Sequence, residues 1–428
     1  MTIEQRLERD LPQILGDLAA APYPDYIDDV LSTTGRRGQR PRWMFPERWL
    51  PMELVTERVP VTRMPWRQLG VLALIGALLA TLLAVYIGSR TTKLPAPFGP
   101  ASNGVIAMGR NGDLYTIDPR TGQERLVVGG PGDDAWVDFT PDGTRGVFLR
   151  WGPPGPMQAA KIGTVSLAEG AQPTFIDKDV VHGDSSLALA PNGRDIAFTA
   201  YDYMTPVLRI ILASLDGTRY DMLQNVDITD YGGLSFLAPD GRELVYLARS
   251  SNLHTHDIMA LDVTTGQTRA ILQTSPTGDI FGNVSAAPDG KHLAYALASA
   301  TGGVEVHVIA TDGTGDTVVG HAVGATFEAW PQWDPQGRRL LIERDAGDGV
   351  VHPVIIDLNG GPDVVIDTTI SQNGAGKVWA PDGSSILAQR TAEDGRQLQQ
   401  ESWDVRTGKV TQVTWPSVTP PVWQRTAN

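Results

Sequence analysis

One short phrase, Pro-x-Gly, returns at a nearly constant interval and dictates what this chain can fold into. It occurs as Pro141-Asp142-Gly143, Pro191-Asn192-Gly193, Pro239-Asp240-Gly241, Pro288-Asp289-Gly290, Pro335-Gln336-Gly337 and Pro381-Asp382-Gly383, with the glycines 50, 48, 49, 47 and 46 residues apart. Each copy follows a short apolar stretch and precedes a strand-like run: Gly146–Leu149, Ile196–Thr199, Leu244–Leu247, Leu293–Leu297, Leu340–Glu343 and Ile386–Ala388. Proline presets φ, Asp or Asn bonds back to the backbone, and glycine takes the positive φ, so each phrase predicts a tight turn between two strands.

A second hairpin lies between these turns. It is clearest as Asp-x-x-Thr-Gly at Asp118–Gly122, Asp262–Gly266 and Asp404–Gly408, with looser copies near 168–170, 216–217, 312–313 and 359–360. Four strands per period, repeated radially, predict an all-β fold, a β-propeller over residues 104–424 followed by a short tail, 425–428. Seven second hairpins stand against six Pro-x-Gly turns. The first copy has only three strands, and the C-terminal run Pro421-Val422-Trp423 supplies the missing one. A ring closed in this way has seven blades and no open sheet edges. Six blades with an extra hairpin is the rival count.

Strand, Pro-Asp-Gly, strand, then the Asp-x-x-Thr-Gly hairpin resembles the TolB-type, WD40-like propeller repeat of bacterial envelope proteins. The resemblance implies a propeller fold. Propellers host binding modules and enzymes alike, so it does not by itself choose an activity.

Residues 68–89 predict a transmembrane helix. No charge occurs from Gln68 to Ser89, and Leu69–Ile87 is a 19-residue apolar core. At about 1.5 Å per residue that core spans the hydrocarbon of a bilayer. Eight arginines, from Arg36 to Arg67, precede it, and only Arg90 and Lys93 closely follow. The positive-inside rule then predicts a single-pass cell-membrane protein, a signal-anchor type, with a cytoplasmic N-terminus and an extracytoplasmic propeller. Gly76, Ala80, Ala84 and Gly88 share one helix face, where small residues let a second copy approach as a dimer. Residues 90–103, with Pro95, Pro97 and Pro100, form a stiff linker. Residues 1–67 read as a partly helical or disordered cytoplasmic region, in which residues 1–50 are the docking segment for a cytoplasmic protein.

Charge and chemistry narrow the function. Residues 1–67 are neutral, and the remainder carries 25 Lys/Arg against 39 Asp/Glu, the whole net charge of −14. An acidic propeller repels phosphate backbones, so no nucleic-acid binding is expected. With no cysteine there are no disulfides, Cys-ligated metals or thiol nucleophiles. No nucleotide-binding or hydrolase motif occurs, and the expectation is no enzyme, no cofactor and no metal. Function is expected at the ring mouth, where the loops entering inner strands and those joining second to third strands meet. The irregular stretches 150–161, 224–233, 273–283 and 320–330 carry Trp151, Tyr231, Phe281, Phe327 and Trp330, the expected partner anchors. His182, His254, His256 and His321 fall on the same face, with acids including Asp279, Glu328 and Asp345. The reading is a membrane-anchored extracytoplasmic propeller that binds a protein or small ligand without catalysis. Two alternatives stay open. One is an anti-sigma-like transmembrane regulator with a propeller sensor, which the overall plan resembles. The other is a propeller enzyme with a His/carboxylate site at the mouth.

Overall fold

The structure, a computed structural model, describes residues 74–76, 98–152, 159–176, 186–202, 207–226, 233–250, 255–275, 278–299, 302–320, 325–370, 376–391, 398–415 and 419–427. The chain divides into two compact units, residues 1–91 and 92–428. In the first, residues 74–76 are helical. Among the described residues no helix is long and apolar enough to cross a membrane. The expected span 68–89 lies outside them except at 74–76, as do Ala80, Ala84, Gly88 and the whole N-terminal region.

The second unit is all β. The first strands are β1 (Ser102–Arg110), β2 (Asp113–Ile117) and β3 (Glu124–Val128). A second group holds β4 (Asp133–Phe139), β5 (Arg145–Trp151), β6 (Ala160–Ser166) and β7 (Thr174–Phe175). The third holds β8 (Leu187–Leu189), β9 (Asp195–Asp202), β10 (Val207–Ser214) and β11 (Tyr220–Val226). The fourth holds β12 (Ser235–Phe236), β13 (Glu243–Arg249), β14 (His256–Asp262) and β15 (Thr268–Leu272). The fifth holds β16 (Gly278–Ala286), β17 (His292–Ser299), β18 (Val304–Ala310) and β19 (Thr317–Val319). The sixth holds β20 (Phe327–Trp333), β21 (Arg339–Asp345), β22 (Val351–Asp357) and β23 (Val364–Val365). The seventh holds β24 (Gly376–Trp379), β25 (Ser385–Thr391), β26 (Leu398–Asp404) and β27 (Val410–Val413), and β28 (Val422–Thr426) follows. Within each group neighbouring strands pair antiparallel, and one parallel bridge, Val304 to Phe327, joins the fifth and sixth into an eight-stranded sheet.

The last strand completes the first group. β28 pairs antiparallel with β1, matching Ser102 to Thr426 and Ala107 to Val422 across a bulge. The sheet therefore takes in residues just outside the expected range 104–424. Arg425 donates to the Gly99 carbonyl at 2.7 Å, and Gln424 donates to the Gly143 carbonyl of the next group at 2.7 Å. Packing runs in a circle. Val147 and Ile162 of the second group meet Ile196 and Phe198 of the third. The same alternation of apolar faces continues to the seventh group, where Ala380 and Leu387 meet Ile106, Met108 and Trp423 of the first. Ala107, Leu114 and Val422 then meet Trp136 and Phe148 of the second. Each side chain of the wall strands points to one neighbour or the other because strand side chains alternate.

The turns explain the repeat. Asp142 Oδ1 accepts from the Thr144 amide at 3.0 Å and from the Thr140 hydroxyl at 2.6 Å, while Gly143 has φ +70°. At Gly290 a Cβ would collide with the Ala238 carbonyl of the preceding group, so glycine is required there by contact as well as by φ. In the second hairpins, Asp262 Oδ1 accepts from the Thr264 and Thr265 amides, both at 2.9 Å. These bonds hold its carboxyl down at about 2, the Thr265 amide first among them. The aspartates of this motif are turn-makers.

Candidate functional site at the ring mouth

Three of the expected anchors come together. Phe281 lies on β16, and Phe327 and Trp330 lie on β20, the inner strands of the fifth and sixth groups. Phe281 meets Phe327 edge-to-face at 5.4 Å between ring centroids and meets Trp330 at 5.9 Å. All three are half-buried. They were expected in the irregular stretches 273–283 and 320–330, but the structure places them on strands. Both strands are bulged beside the cluster, between Phe281 and Ser285 and between Ala329 and Gln332, and the irregular spacing that results reads as loop in a sequence. Trp330 has φ +57°, a left-handed conformation that is strained for a bulky side chain, and its ring lies against Gly282 at φ +79°.

A buried guanidinium holds this strand in place. Arg344 of β21 donates to Glu328 at 2.6 Å, to Asp363 at 2.8 Å and to the Gly320 carbonyl at 2.6 Å. Glu328 is 2% exposed, so this expected mouth acid is an internal partner and not a surface ligand. Asp345 is also buried, and its Oδ1 accepts from the Gly347 and Gly349 amides. On the other face of β21, Glu343 pairs with Lys377 of β24, with only one of its carboxylate oxygens partnered. Burial raises the Glu343 pKa against the opposing pull of Lys377.

Of the four expected histidines, the structure describes His256. His256 begins β14 and is buried. Its amide donates to Asp279 Oδ1 at 2.9 Å, and its ring Nδ1 lies 2.8 Å from the same oxygen. Asp279 is two residues from Phe281 on β16 and keeps 38% of its side chain exposed. Trp151, at the end of β5, packs half-buried between the second and third groups, away from the aromatic trio. Tyr231, His182, His254 and His321 lie outside the described residues. Among the described residues no group of three or more His, Asp or Glu side chains stands close enough to hold a metal ion.

Sequence reasoning missed Arg344, Glu343 and Lys377, and also the pair Arg150–Asp134, where both guanidinium contacts measure 2.7 Å. One signal was available: the run Glu343-Arg344-Asp345 continues an apolar strand directly. Three consecutive charges inside a strand period put charge on both buried faces.

No protein-family model and no curated protein matches the sequence. Solved structures do. An oligogalacturonate lyase from Vibrio parahaemolyticus is 12% identical over 73% of this chain and 86% of that one, with a TM-score of 0.51. A prolyl endopeptidase is 14% identical over 82% of this chain and 55% of that one, with a TM-score of 0.52. TolB from Acinetobacter baumannii is 14% identical over 76% of this chain and 81% of that one, with a TM-score of 0.47. At such identities a shared fold is what these likenesses establish. With the circular packing of four-stranded meanders, they show residues 102–426 to be a β-propeller.

Proposed function

We propose that this chain is a single-pass membrane protein whose extracytoplasmic, seven-bladed propeller binds a partner at its mouth without catalysing a reaction. The observation that carries the binding role is the Phe281–Phe327–Trp330 cluster. It is half-buried, it sits on adjacent inner strands, and it contains a strained tryptophan. Backbone strain persists only where surrounding structure enforces it, and it concentrates at binding sites. Large aromatics are also frequent anchors of interfaces. The seven-blade count is supported by the four-stranded grouping and by the pairing of β28 with β1. The uncharged stretch 68–89 supports the anchor, and the arginines before it support the cytoplasmic side for residues 1–67.

Two measurements test this reading. Protease added to spheroplasts should digest the propeller and spare residues 1–60; a protected propeller would reverse the topology. Pull-down with the full chain should recover a partner that Phe327→Ala loses while Tm changes little. Retention of the partner by Phe327→Ala, together with its loss on changes at Thr121 or Thr265, would move the binding face to the opposite end.

The His256–Asp279 pair favours one second reading, a His/carboxylate enzyme at the same mouth. That reading requires His256→Gln to abolish a turnover that Phe281→Leu only weakens.

A further inference from the structure

We infer that a small zwitterion of the free amino-acid class binds in the cleft between the second and third groups, its carboxylate on Arg145 and its ammonium on Asp216. The cleft lies beside the tight turns, at the end of the ring opposite the proposed mouth. It is a cavity of about 320 Å³ lined by Arg145, Thr164, Ser166, Gln172, Thr174 and Asp216. That volume is at the small end of ligand sites. Every lining side chain is polar; Thr164 is buried at the floor, and the others are exposed.

The counterpart of this cleft, between the fourth and fifth groups, is filled from within. Strand register makes the two equivalent: Arg145 faces Ser166 and Thr164 faces Thr174, as Glu243 faces Asp262 and Ala260 faces Arg269. Asp216 and Asp312 hold the same place in the next hairpin, each accepting from the amide and hydroxyl of the threonine two residues on. In the fourth group Arg269 fills the space. It donates to the two Glu243 oxygens at 2.8 and 2.7 Å and to the Thr311 carbonyl at 2.7 Å. After the Thr314 bonds, it also helps to hold the Asp312 carboxyl down. In the second group the wall charge is reversed, Arg145 for Glu243, and the filling side chain is cut to a threonine. Arg145 makes no ion pair among the described residues. Asp142 acts on it only from a distance, with its own Oδ1 engaged by Thr140 and Thr144. The Ser214 and Thr218 hydroxyls chiefly hold Asp216 down to about 2, so it is ionised, and it too makes no ion pair among the described residues.

An unpaired guanidinium and an unpaired carboxylate thus line one cleft, and the piece that completes it carries both signs. Arg145 offers a carboxylate its planar fork of donors. The Thr164 and Thr174 hydroxyls, 2.9 Å apart, share one hydrogen bond, so one hydroxyl hydrogen remains to join it. Ser166 Oγ accepts from the Ala168 amide and likewise keeps its hydrogen. On the third group, Asp216 takes its three bonds on Oδ1, which leaves Oδ2 for an ammonium. Walls of opposite sign select against a plain anion and a plain cation alike.

The test uses the full chain in detergent and saturation-transfer NMR with each of the twenty protein amino acids in turn, then with the N-acetyl and α-amide forms of the tightest. At least one amino acid should bind at or below about 10 mM. Removing its ammonium or its carboxylate should each weaken it at least about fivefold. Arg145→Gln, and Asp216→Asn, which keeps the turn acceptor, should do the same at unchanged Tm. Arg219→Gln, an exposed guanidinium already paired with Asp221, should leave binding within about twofold. Arg145→Glu together with Thr174→Arg rebuilds the fourth group's pair inside the cleft and should abolish binding without lowering Tm.

No binding by any of the twenty at about 10 mM would overturn the inference. Equal binding of the N-acetyl form would make this an anion site, equal binding of the α-amide a cation site, and either result overturns the zwitterion. Binding that survives the double variant, or that Arg219→Gln weakens as much as Arg145→Gln does, would place the ligand elsewhere and overturn the cleft.

Discussion

The second strands of the early groups and the second strand of the sixth group occupy the same place in the ring but are built from different chemistry. In β5, β9 and β13 the buried stretch is apolar: Val147-Phe148-Leu149, Ile196-Ala197-Phe198 and Leu244-Val245-Tyr246-Leu247. In β21 the apolar run Leu340-Leu341-Ile342 passes directly into Glu343-Arg344-Asp345, and all six are buried. Apolar burial is non-directional and tolerates small shifts between blades. Buried ions are stable only at fixed geometry, because each has left water for one partner. The third and fourth blades are thus held here by area, whereas the mouth half of the sixth is held by specific contacts, Arg344 to Glu328 and Glu343 to Lys377; the second blade stands between them, since its apolar run on β5 ends in Arg150, paired with buried Asp134. The aromatic trio is attached to the second kind of wall, and such rigid support would lower the entropy lost on binding at the surface proposed above.

The comparison can be broken at its ionic side first. Lys377→Met leaves Glu343 buried and unpaired, and unfolding free energy at pH 8 should fall by about 3–5 kcal/mol. Burial already raises the Glu343 pKa, so the folded state takes up a proton more readily than the unfolded one. Part of the loss should therefore return as pH falls towards 5. Chemical denaturation at the two pH values measures this, and a pH-independent loss would contradict the account.

The apolar side should respond differently. Leu247→Ala, in a fully packed cluster, should cost about 2–4 kcal/mol at either pH. A marked pH dependence in this variant would erase the distinction between the two walls.

A smaller effect is expected at the closure of the ring. Asp138 of β4 keeps accessible surface, but protein surrounds it; burial pushes its carboxyl up to about 6, and Arg425 of β28 only partly opposes that. A raised folded pKa means that this site gains stability as pH falls through 6 towards 4, where the unfolded carboxyl also protonates. Because the carboxyl is partly screened by water, the gain should be no more than about 1 kcal/mol, and Asp138→Asn should flatten it. A wild-type and variant difference that is constant from pH 4 to 7 would contradict the assignment.

The smallest effect belongs to the outer hairpins. Asp262→Ala removes the acceptor of two turn amides, and Tm should fall by only a few degrees, with the ring intact by near-ultraviolet circular dichroism.

These contrasts also mark how far the sequence could be read. The ring was legible because Pro-x-Gly and Asp-x-x-Thr-Gly act locally: Asp142, Gly143, Asp262 and Gly266 fix their turns through bonds spanning only a few residues. The closing strand was legible because Trp423 repeats the pattern of Trp333 and Trp379. Phe281, Phe327 and Trp330 were legible as aromatics at one end of the ring but not as strand residues, since bulges break the alternation by which strands are recognised. The ion pairs were not legible. Arg344 and Glu328 face each other across adjacent strands of one blade, but the bulge between Ala329 and Gln332 shifts the register that spacing would give; Glu343 and Lys377, thirty-four residues apart, sit on adjacent blades, and nothing in spacing alone says which residues meet there.

The central claim is that partners engage the end of the ring bearing Phe281, Phe327 and Trp330. It is tested most directly by site-specific photocrosslinking in intact cells. A benzoyl-phenylalanine should be placed singly at 281, 327, 121 and 265, and covalent adducts read by mass. The account predicts partner adducts from 281 and 327 and none from 121 and 265. Adducts from 121 and 265 alone would contradict it.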